Sequence, residues 1–498
     1  VNILFYLSAI IYVISMLFIF SYALTQSHLL FNYFARKRKT LSACEADLNN
    51  LPIVTIQLPI YNEKFVIPRL IDCICRINYP LHKLEIQVLD DSTDDSRAIA
   101  AQKVMQWQEK GIDIKLIHRR DRSGFKAGAL KYGLDEAKGE LIAIFDSDFI
   151  PNEDFLLKTV GYFTDPQTGV VQTRWEHINR NESILTKIQA LALDAHFTVE
   201  QGGRNHFGAF INFNGTAGIW RKSCILDAGN WEADTLTEDL DLSYRAQLMG
   251  WKIIYREDIG SPAELPSIMS AVKSQQYRWN KGGAEVARKM IGSIFQSAQP
   301  LPIKIHGVFH LLNSSVFVAV LLAGITSFPL AYGVSMHPEY WTILPAGIFF
   351  LLMTLILGIN FYTGYKRCAP GNFREFLIQF PVFLCMSMGL AVHNSIAVLE
   401  GFMGRKTPFI RTPKAGDSQL GQNKYLKSEI TFSTWIELAL GLYFLMAIIW
   451  SIYAGFYAFT LFHTMLAIGF LTISGTSIFH DEKLRRAYRK YDTSPNSI

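Results

Sequence analysis

The chain has 498 residues, half of them apolar and 18% charged, with a formal net charge of +5. That length suits one large catalytic domain together with membrane segments. The basic residues are dispersed, which argues against nucleic acid as a partner, because phosphate-backbone binding needs a concentrated basic surface. The six cysteines (Cys44, Cys73, Cys75, Cys224, Cys368 and Cys385) show no C-x-x-C pair, so neither a zinc site nor a disulfide framework is indicated.

Residues 2–24 are apolar and uncharged, long enough to cross a hydrocarbon core of ~30 Å. A cleaved signal peptide needs a positive segment ahead of the apolar run. Here the charges follow it, as Arg36-Lys37-Arg38-Lys39. The excess of cytoplasmic Lys and Arg in membrane proteins then predicts an anchor with its N-terminus outside and the following domain in the cytosol.

From about residue 40 to 300 the composition is that of a mixed soluble domain. Apolar β-branched runs at 53–59, 85–89, 113–117 and 141–145 alternate with helical patterns beginning near 63 and 95 and at 128–137. This alternation predicts a parallel sheet with helices on its faces. Such sheets bind ligands beyond the C-terminal ends of their strands, where unusual carboxylates stand. Asp90-Asp91-Ser92-Thr93-Asp94-Asp95 follows the second strand. Asp94 or Asp95 fits a helix N-cap, which leaves Asp90 and Asp91 to hydrogen-bond a base and ribose. Asp146-Ser147-Asp148 follows the fourth strand. Two carboxylates one residue apart in a turn suit Mg²⁺ or Mn²⁺ held against phosphate oxygens. Thr237-Glu238-Asp239-Leu240-Asp241 offers a carboxylate, Asp239 or Asp241 among them, that could take a proton from an attacking hydroxyl, which is general-base work. The same stretch reads as a helix start, Thr237 capping and the acids favoured by the dipole. In Gln275-Gln276-Tyr277-Arg278-Trp279 the indole offers a flat face to a sugar ring and Arg278 a donor to phosphate; a surface helix carrying an aromatic explains the same residues.

Further apolar runs lie at 309–331, 340–362, 376–402, 435–457 and 459–479. The basic stretches at 405–414 and 483–490 both fall on the cytosolic side only if 376–402 does not span. That run holds Pro381, His393, Asn394 and Glu400, and is expected as an interfacial helix. The count is then five spans in the chain. The resulting division is an anchor at 1–35, a cytosolic domain at 40–300, a hairpin at 301–366, an interfacial helix and loop at 375–432, a hairpin at 433–480 and a tail at 481–498. His306 and His310 share a helix face, but no H-E-x-x-H pattern or third ligand accompanies them, so an interfacial role is expected.

The ordered set Asp90-Asp91, Asp146-Ser147-Asp148, Thr237-Glu238-Asp239 and Gln275-x-x-Arg278-Trp279 resembles the family-two processive glycosyltransferases with the cellulose-synthase and hyaluronan-synthase fold. The stretches Val171-Gln172-Thr173-Arg174-Trp175-Glu176-His177, Asn212-Phe213-Asn214-Gly215-Thr216-Ala217-Gly218 and Glu264-Leu265-Pro266 are similar to the plant cellulose-synthase-like A and C branches. Those branches make mannan, glucomannan and xyloglucan backbones. Phe409-Ile410-Arg411-Thr412-Pro413-Lys414 resembles the family's F-x-V-T-x-K gating loop, with Arg411 in place of Val, and Asn280-Lys281-Gly282 departs from the plant pattern ending in Gly-Pro.

The resemblance implies an α/β glycosyltransferase-A domain, the nucleotide-diphospho-sugar transferase fold, joined to an α-helical transmembrane region. It implies that Asp90, Asp91, Lys126, Asp146, Asp148, Gln275 and Arg278 bind the nucleotide sugar, Asp146 and Asp148 through Mg²⁺ or Mn²⁺. Asp239 would be the base, Asn214, Gly215, Thr216 and Trp279 would line the acceptor site, and Phe409, Thr412 and Lys414 would close over the donor. The implied activity is inverting, processive transfer of hexose from GDP-mannose or UDP-glucose to a β-linked polysaccharide that is then exported. The rival is a single addition that makes a membrane glycolipid. The partners are thus a nucleotide sugar, a glycan or glycolipid acceptor and the bilayer of an inner or plasma membrane, or of the Golgi in a eukaryote.

Overall fold

The computed structural model describes residues 2–36, 46–337, 346–369, 371–407 and 430–492. Helix α1 (Asn2–Arg36) leads into strand β1 (Val54–Ile60) and helix α2 (Ile67–Ile74). Then come β2 (Leu84–Asp90), α3 (Ser96–Gln108), β3 (Ile114–His118), α4 (Phe125–Glu136), β4 (Leu141–Ile144) and α5 (Phe155–Thr159). The domain continues through β5 (Thr168–His177), α6 (Ile184–Ala195), α7 (Gln201–Phe207), β6 (Gly218–Arg221), α8 (Lys222–Asp227), α9 (Glu238–Leu248), β7 (Lys252–Ala263) and α10 (Met269–Gln296). After it lie α11 (Leu301–Leu311), α12 (Ser315–Met336), α13 (Ala346–Cys368), α14 (Phe373–Gly389), α15 (Ala391–Met403), α16 (Phe432–Ala454) and α17 (Thr460–Asp492).

The sheet order is β3-β2-β1-β4-β6-β5-β7. Strands β1 to β4 pair in parallel, as expected, and β2 is buried along its whole length, as a strand covered on both faces should be. Strand β6, which lies beyond the runs read as strands from sequence, runs antiparallel to both β4 and β5, so the whole sheet is mixed. Parallel β5–β7 pairing closes the far edge, with a register shift between Thr173 and Arg174. The inversion is useful, because β6 enters from the loop 212–217 and so brings that loop beside the end of β4. Two apolar layers flank the sheet. One gathers Ile56, Val88, Phe145 and Phe155, the other Leu130, Ile142, Phe213 and Trp220.

Among the described residues, four helical stretches are long and apolar enough to cross a membrane: Ile3–Ala35, Ser315–Met336, Phe432–Ala454 and Thr460–Phe479. Helix α13 overlaps most of the run 340–362 that was expected as a span; residues 340–345 of that run lie outside the described residues. The run 376–402 is broken, with α14 and α15 meeting at 51°. The break falls at Leu390, not at Pro381, which sits inside α14. Gly389 explains the place: a Cβ there would lie 2.3 Å from the Gly469 carbonyl of α17, so the two backbones touch where the helix turns.

Several contacts tie these apolar helices to the sheet domain. Helix α1 rests on α7, where a Cβ at Gly203 would be 2.5 Å from the Leu29 carbonyl, and the Tyr33 hydroxyl donates to Glu257 at 3.1 Å. Lys273 of α10 pairs with Glu437 of α16 at 2.7 Å, both side chains buried. Because α10 also carries Gln275 to Trp279, its position is set from the apolar helices as well as from the sheet.

Candidate active site

The site is built where β1, β2 and β4 end. At β4 the sequence Phe145-Asp146-Ser147-Asp148-Phe149 folds into a turn closed by the Phe149 amide donating to the Asp146 carbonyl at 3.1 Å. Phe145 and Phe149 are buried on either side and fix the turn, so both acids face the cavity. The Asp146 amide donates to Thr216 Oγ1 at 2.9 Å, which locks the loop before β6 against the turn. Helix α4 begins at Gly124, whose φ of +71° suits glycine, and presents Lys126 in its first turn. Lys126 Nζ lies 2.5 Å from Asp146 Oδ1 and donates to the Gly215 carbonyl at 2.9 Å. Burial opposes the Lys126 charge, but Asp146, Glu238 and Asp239 outweigh it and hold its pKa above the ordinary value.

Asp239 approaches from the first turn of α9. Thr237 occupies the N-cap, as expected, although its hydroxyl makes no capping bond. A Cβ at Gly215, where φ is +79°, would lie 3.0 Å from Asp239 Oδ2 and 3.5 Å from Lys126 Nζ, so only glycine leaves that gap open. Burial first, then the charge of Glu238, raises the Asp239 pKa well above the carboxylate range. Gln275, Arg278 and Trp279 close the cavity from α10. Arg278 faces the charges of Asp146, Glu238, Asp148 and Asp239.

A cavity of about 190 Å³ is lined by Asp91, Lys126, Asp146, Asp148, Asn214, Gly215, Asp239, Gln275, Arg278 and Trp279. Of the other expected residues, Thr216 acts from beneath, through its bond to Asp146. Asp90 is fully buried and does not line the cavity; Oδ1 accepts from the Ser92 amide at 3.0 Å and Oδ2 meets His118 Nδ1 at 2.9 Å. Both Asp91 oxygens bind Arg119, at 2.8 and 2.5 Å. These two acids thus have structural work that the sequence reading did not give them. Phe409, Thr412 and Lys414 lie outside the described residues. Asp241, the alternative base, is fully buried between Arg245 and Lys289, at 2.8 and 2.9 Å. The cavity also holds residues to which no role was assigned from sequence: Tyr61, Arg122, Trp175, His177 and Glu238. Arg122 stacks 3.3 Å over the Tyr61 ring. Tyr61 follows β1 immediately, a position at which any polar or aromatic residue reaches the site.

The donor set at Asp146 and Asp148 is all oxygen, faces the cavity and lies beside two basic side chains suited to phosphate. It fits a hard divalent ion rather than zinc. Glu232, Asp234 and Asp241 also converge, but Lys289 Nζ already sits among them at 2.6, 2.9 and 2.9 Å. His306 and His310 do not join in one site: His306 meets His28 at 2.8 Å and His310 meets the Tyr244 hydroxyl at 2.9 Å.

The catalytic cavity adjoins a second one of about 470 Å³, which shares Trp175, Leu193, Asn214, Thr237, Asp239 and Trp279 with it. This second space runs between α1, α12, α13, α14 and α17, past Met16, Phe317, Phe350, Phe361, Phe383 and Phe462.

A mixed sheet with an acidic turn at β4, a lysine beside it and a carboxylate across a glycine gap is the arrangement of a sugar-nucleotide transferase. Comparison with known proteins agrees. Residues 55–225 match the glycosyl transferase family 2 and residues 141–363 the glycosyl transferase family group 2. The chain is 34% identical over 436 residues to Glucomannan 4-beta-mannosyltransferase 7 of Arabidopsis thaliana, covering 84% of this chain and 76% of that one. It is 37% identical over 380 residues to Probable glucomannan 4-beta-mannosyltransferase 2 of Oryza sativa subsp. japonica, covering 74% of this chain and 63% of that one. The fold is shared with the mannosyltransferase PcManGT from Pyrobaculum calidifontis, solved with GDP-Man and Mn²⁺, at a TM-score of 0.50 and 18% identity over 78% of this chain and 100% of that one. The chain belongs to the cellulose-synthase-like family-two glycosyltransferases and is a hexosyltransferase.

Proposed function

We propose that the chain transfers hexose, with inversion, from GDP-mannose to the end of a growing β-linked polysaccharide and passes the product through its membrane helices. The mannosyltransferase relatives favour GDP-mannose over UDP-glucose. The observation that carries the polymer reading is the continuity of the two cavities at Asp239 and Trp279, which gives an elongating chain somewhere to go. A single-addition enzyme has no need of such a path.

In this reading Asp239 takes the proton of the acceptor hydroxyl, which attacks the anomeric carbon. Lys126 and Arg278 neutralise the departing diphosphate. Asp146 and Asp148 would hold Mg²⁺ or Mn²⁺, which supplies further positive charge against that leaving group. Gln275 helps seat the donor, and Trp279 offers its ring to the terminal acceptor sugar. Phe409, Thr412 and Lys414, which follow α15 in the sequence, would cover the donor.

Trp279→Ala tests the platform. Removing an aromatic face at a desolvated contact costs on the order of 1 kcal/mol or more, so elongation should fall about 10-fold while donor hydrolysis to free sugar is less affected. Equal loss in both assays would remove Trp279 from the acceptor site. The membrane arrangement is tested by cysteines introduced at Lys406 and Lys483, both proposed to be cytosolic together with residues 36–39. In sealed vesicles with the outer face exposed they should resist a membrane-impermeant maleimide until detergent is added. Labelling of the Lys406 position without detergent would mean that 376–402 spans.

A further inference from the structure

Strand β5 ends beside the catalytic cavity, and its two-residue alternation sends Trp175 and His177 to the same face. Both line the cavity. The Trp175 ring is wedged against Phe149 and Phe197, with centroids 5.2 and 5.1 Å away. The His177 side chain is 1% exposed. Nδ1 and Nε2 of His177 and Nε1 of Trp175 are all buried and have no hydrogen-bond partner among the described residues. The nearby carboxylate of Asp194 is 3.6 Å from His177 Nε2, beyond hydrogen-bond length, and Arg180 pairs with both its oxygens at 2.7 Å. Burial, reinforced by Arg180 and Arg174, lowers the His177 pKa to about 3. The ring is therefore neutral near pH 7, one nitrogen donating and the other accepting.

Buried polar atoms in folded proteins are nearly always hydrogen-bonded. Three nitrogens left over on one face of one strand, at the wall of a substrate cavity, are matched by a ligand rich in adjacent hydroxyls. We propose that Trp175 and His177 form an edge that reads the hydroxyls of the hexose held at the reaction centre, His177 donating to one and accepting from its neighbour while Trp175 donates to a third polar atom. This rests on the hexosyl-transfer reading above and adds to it a determinant of which sugar is accepted. The hexose is that of the donor or the terminal unit of the acceptor; both present the same chemistry, and the assays below separate them.

The test uses the full chain in membranes, with wild type first assayed on labelled nucleotide hexoses to fix the active donor. His177→Phe keeps a flat ring and removes both nitrogens; His177→Gln restores a donor and an acceptor. Affinity for the free nucleoside diphosphate should be unchanged in both. A site built around a hydroxyl loses much when its partner goes, so His177→Phe should raise KM on the order of 10- to 100-fold, and His177→Gln should recover part of the loss. A rise already present in donor hydrolysis without acceptor assigns the donor hexose. A rise confined to the KM for a short β-linked oligosaccharide assigns the acceptor. Wild-type parameters for His177→Phe in both assays would overturn the inference and leave the transferase reading standing. Loss of nucleoside diphosphate affinity in both variants would also overturn it, because His177 would then serve the fold. A wild-type chain inert toward every nucleotide hexose would sink the transferase reading and this inference with it.

Discussion

Asp239→Asn is expected to bind the nucleotide sugar as wild type does and to transfer hexose ~10²–10⁴-fold more slowly, the usual contribution of a positioned general base. A sugar hydroxyl is a weak nucleophile at neutral pH, and Asp239 stands across the Gly215 gap from Lys126, where the acceptor and the leaving diphosphate are proposed to meet. The asparagine keeps the shape and removes the basicity. The pH profile gives a second reading. Because burial and Glu238 raise the Asp239 pKa, the carboxylate still holds its proton at pH values where an exposed aspartate has lost it. The basic form is gained as pH rises through that raised value, so wild-type turnover should climb there, and the limb should vanish in the variant. Near wild-type elongation by Asp239→Asn would remove the base assignment. Asp241 does not inherit it, since Arg245 and Lys289 hold its carboxylate away from the cavity.

Chelation of divalent ions is expected to abolish turnover, with recovery on adding Mg²⁺ or Mn²⁺. Asp148→Ala should weaken nucleoside diphosphate binding and bring transfer close to background. The basis is the turn itself: two carboxylates are pinned by Phe145 and Phe149, while Lys126 and Arg278 lie within reach of the same space. A diphosphate set against Asp146 and Asp148 alone would be repelled, and Lys126 already shares its charge with Asp146 at 2.5 Å. Titration calorimetry of nucleoside diphosphate with and without EDTA separates binding from turnover. Full activity in excess chelator would contradict the metal assignment.

Much of the sheet was legible because its early strands are short β-branched runs cut off by acidic turns, and those turns held the carboxylates that converge. The antiparallel insertion of β6 was not, because four residues between a loop and the start of α8 carry no periodicity. The bend at Leu390 escaped because it depends on Gly389 meeting Gly469, a contact between segments far apart in sequence. Within the site, Asp146, Asp148 and Asp239 could be picked out by type and position. Asp90 and Asp91 looked available only because their partners, His118 and Arg119, come from the end of a neighbouring strand. Trp175 and His177 entered the sequence reading only within the stretch 171–177 that carries the resemblance, with no role of their own; the walls around them show which of their nitrogens lack a partner among the described residues.

Polymerising hexosyl transfer is tested most directly by its product. Membranes containing the chain are incubated with labelled GDP-mannose and, in parallel, UDP-glucose and other nucleotide hexoses, with Mg²⁺ or Mn²⁺ present. The product is then sized and digested with linkage-specific glycosidases. A high-molecular-weight product is expected from GDP-mannose, one that β-mannanase degrades and that the Asp239→Asn chain does not make. Label confined to a lipid-extractable species carrying one sugar would contradict the polymer reading.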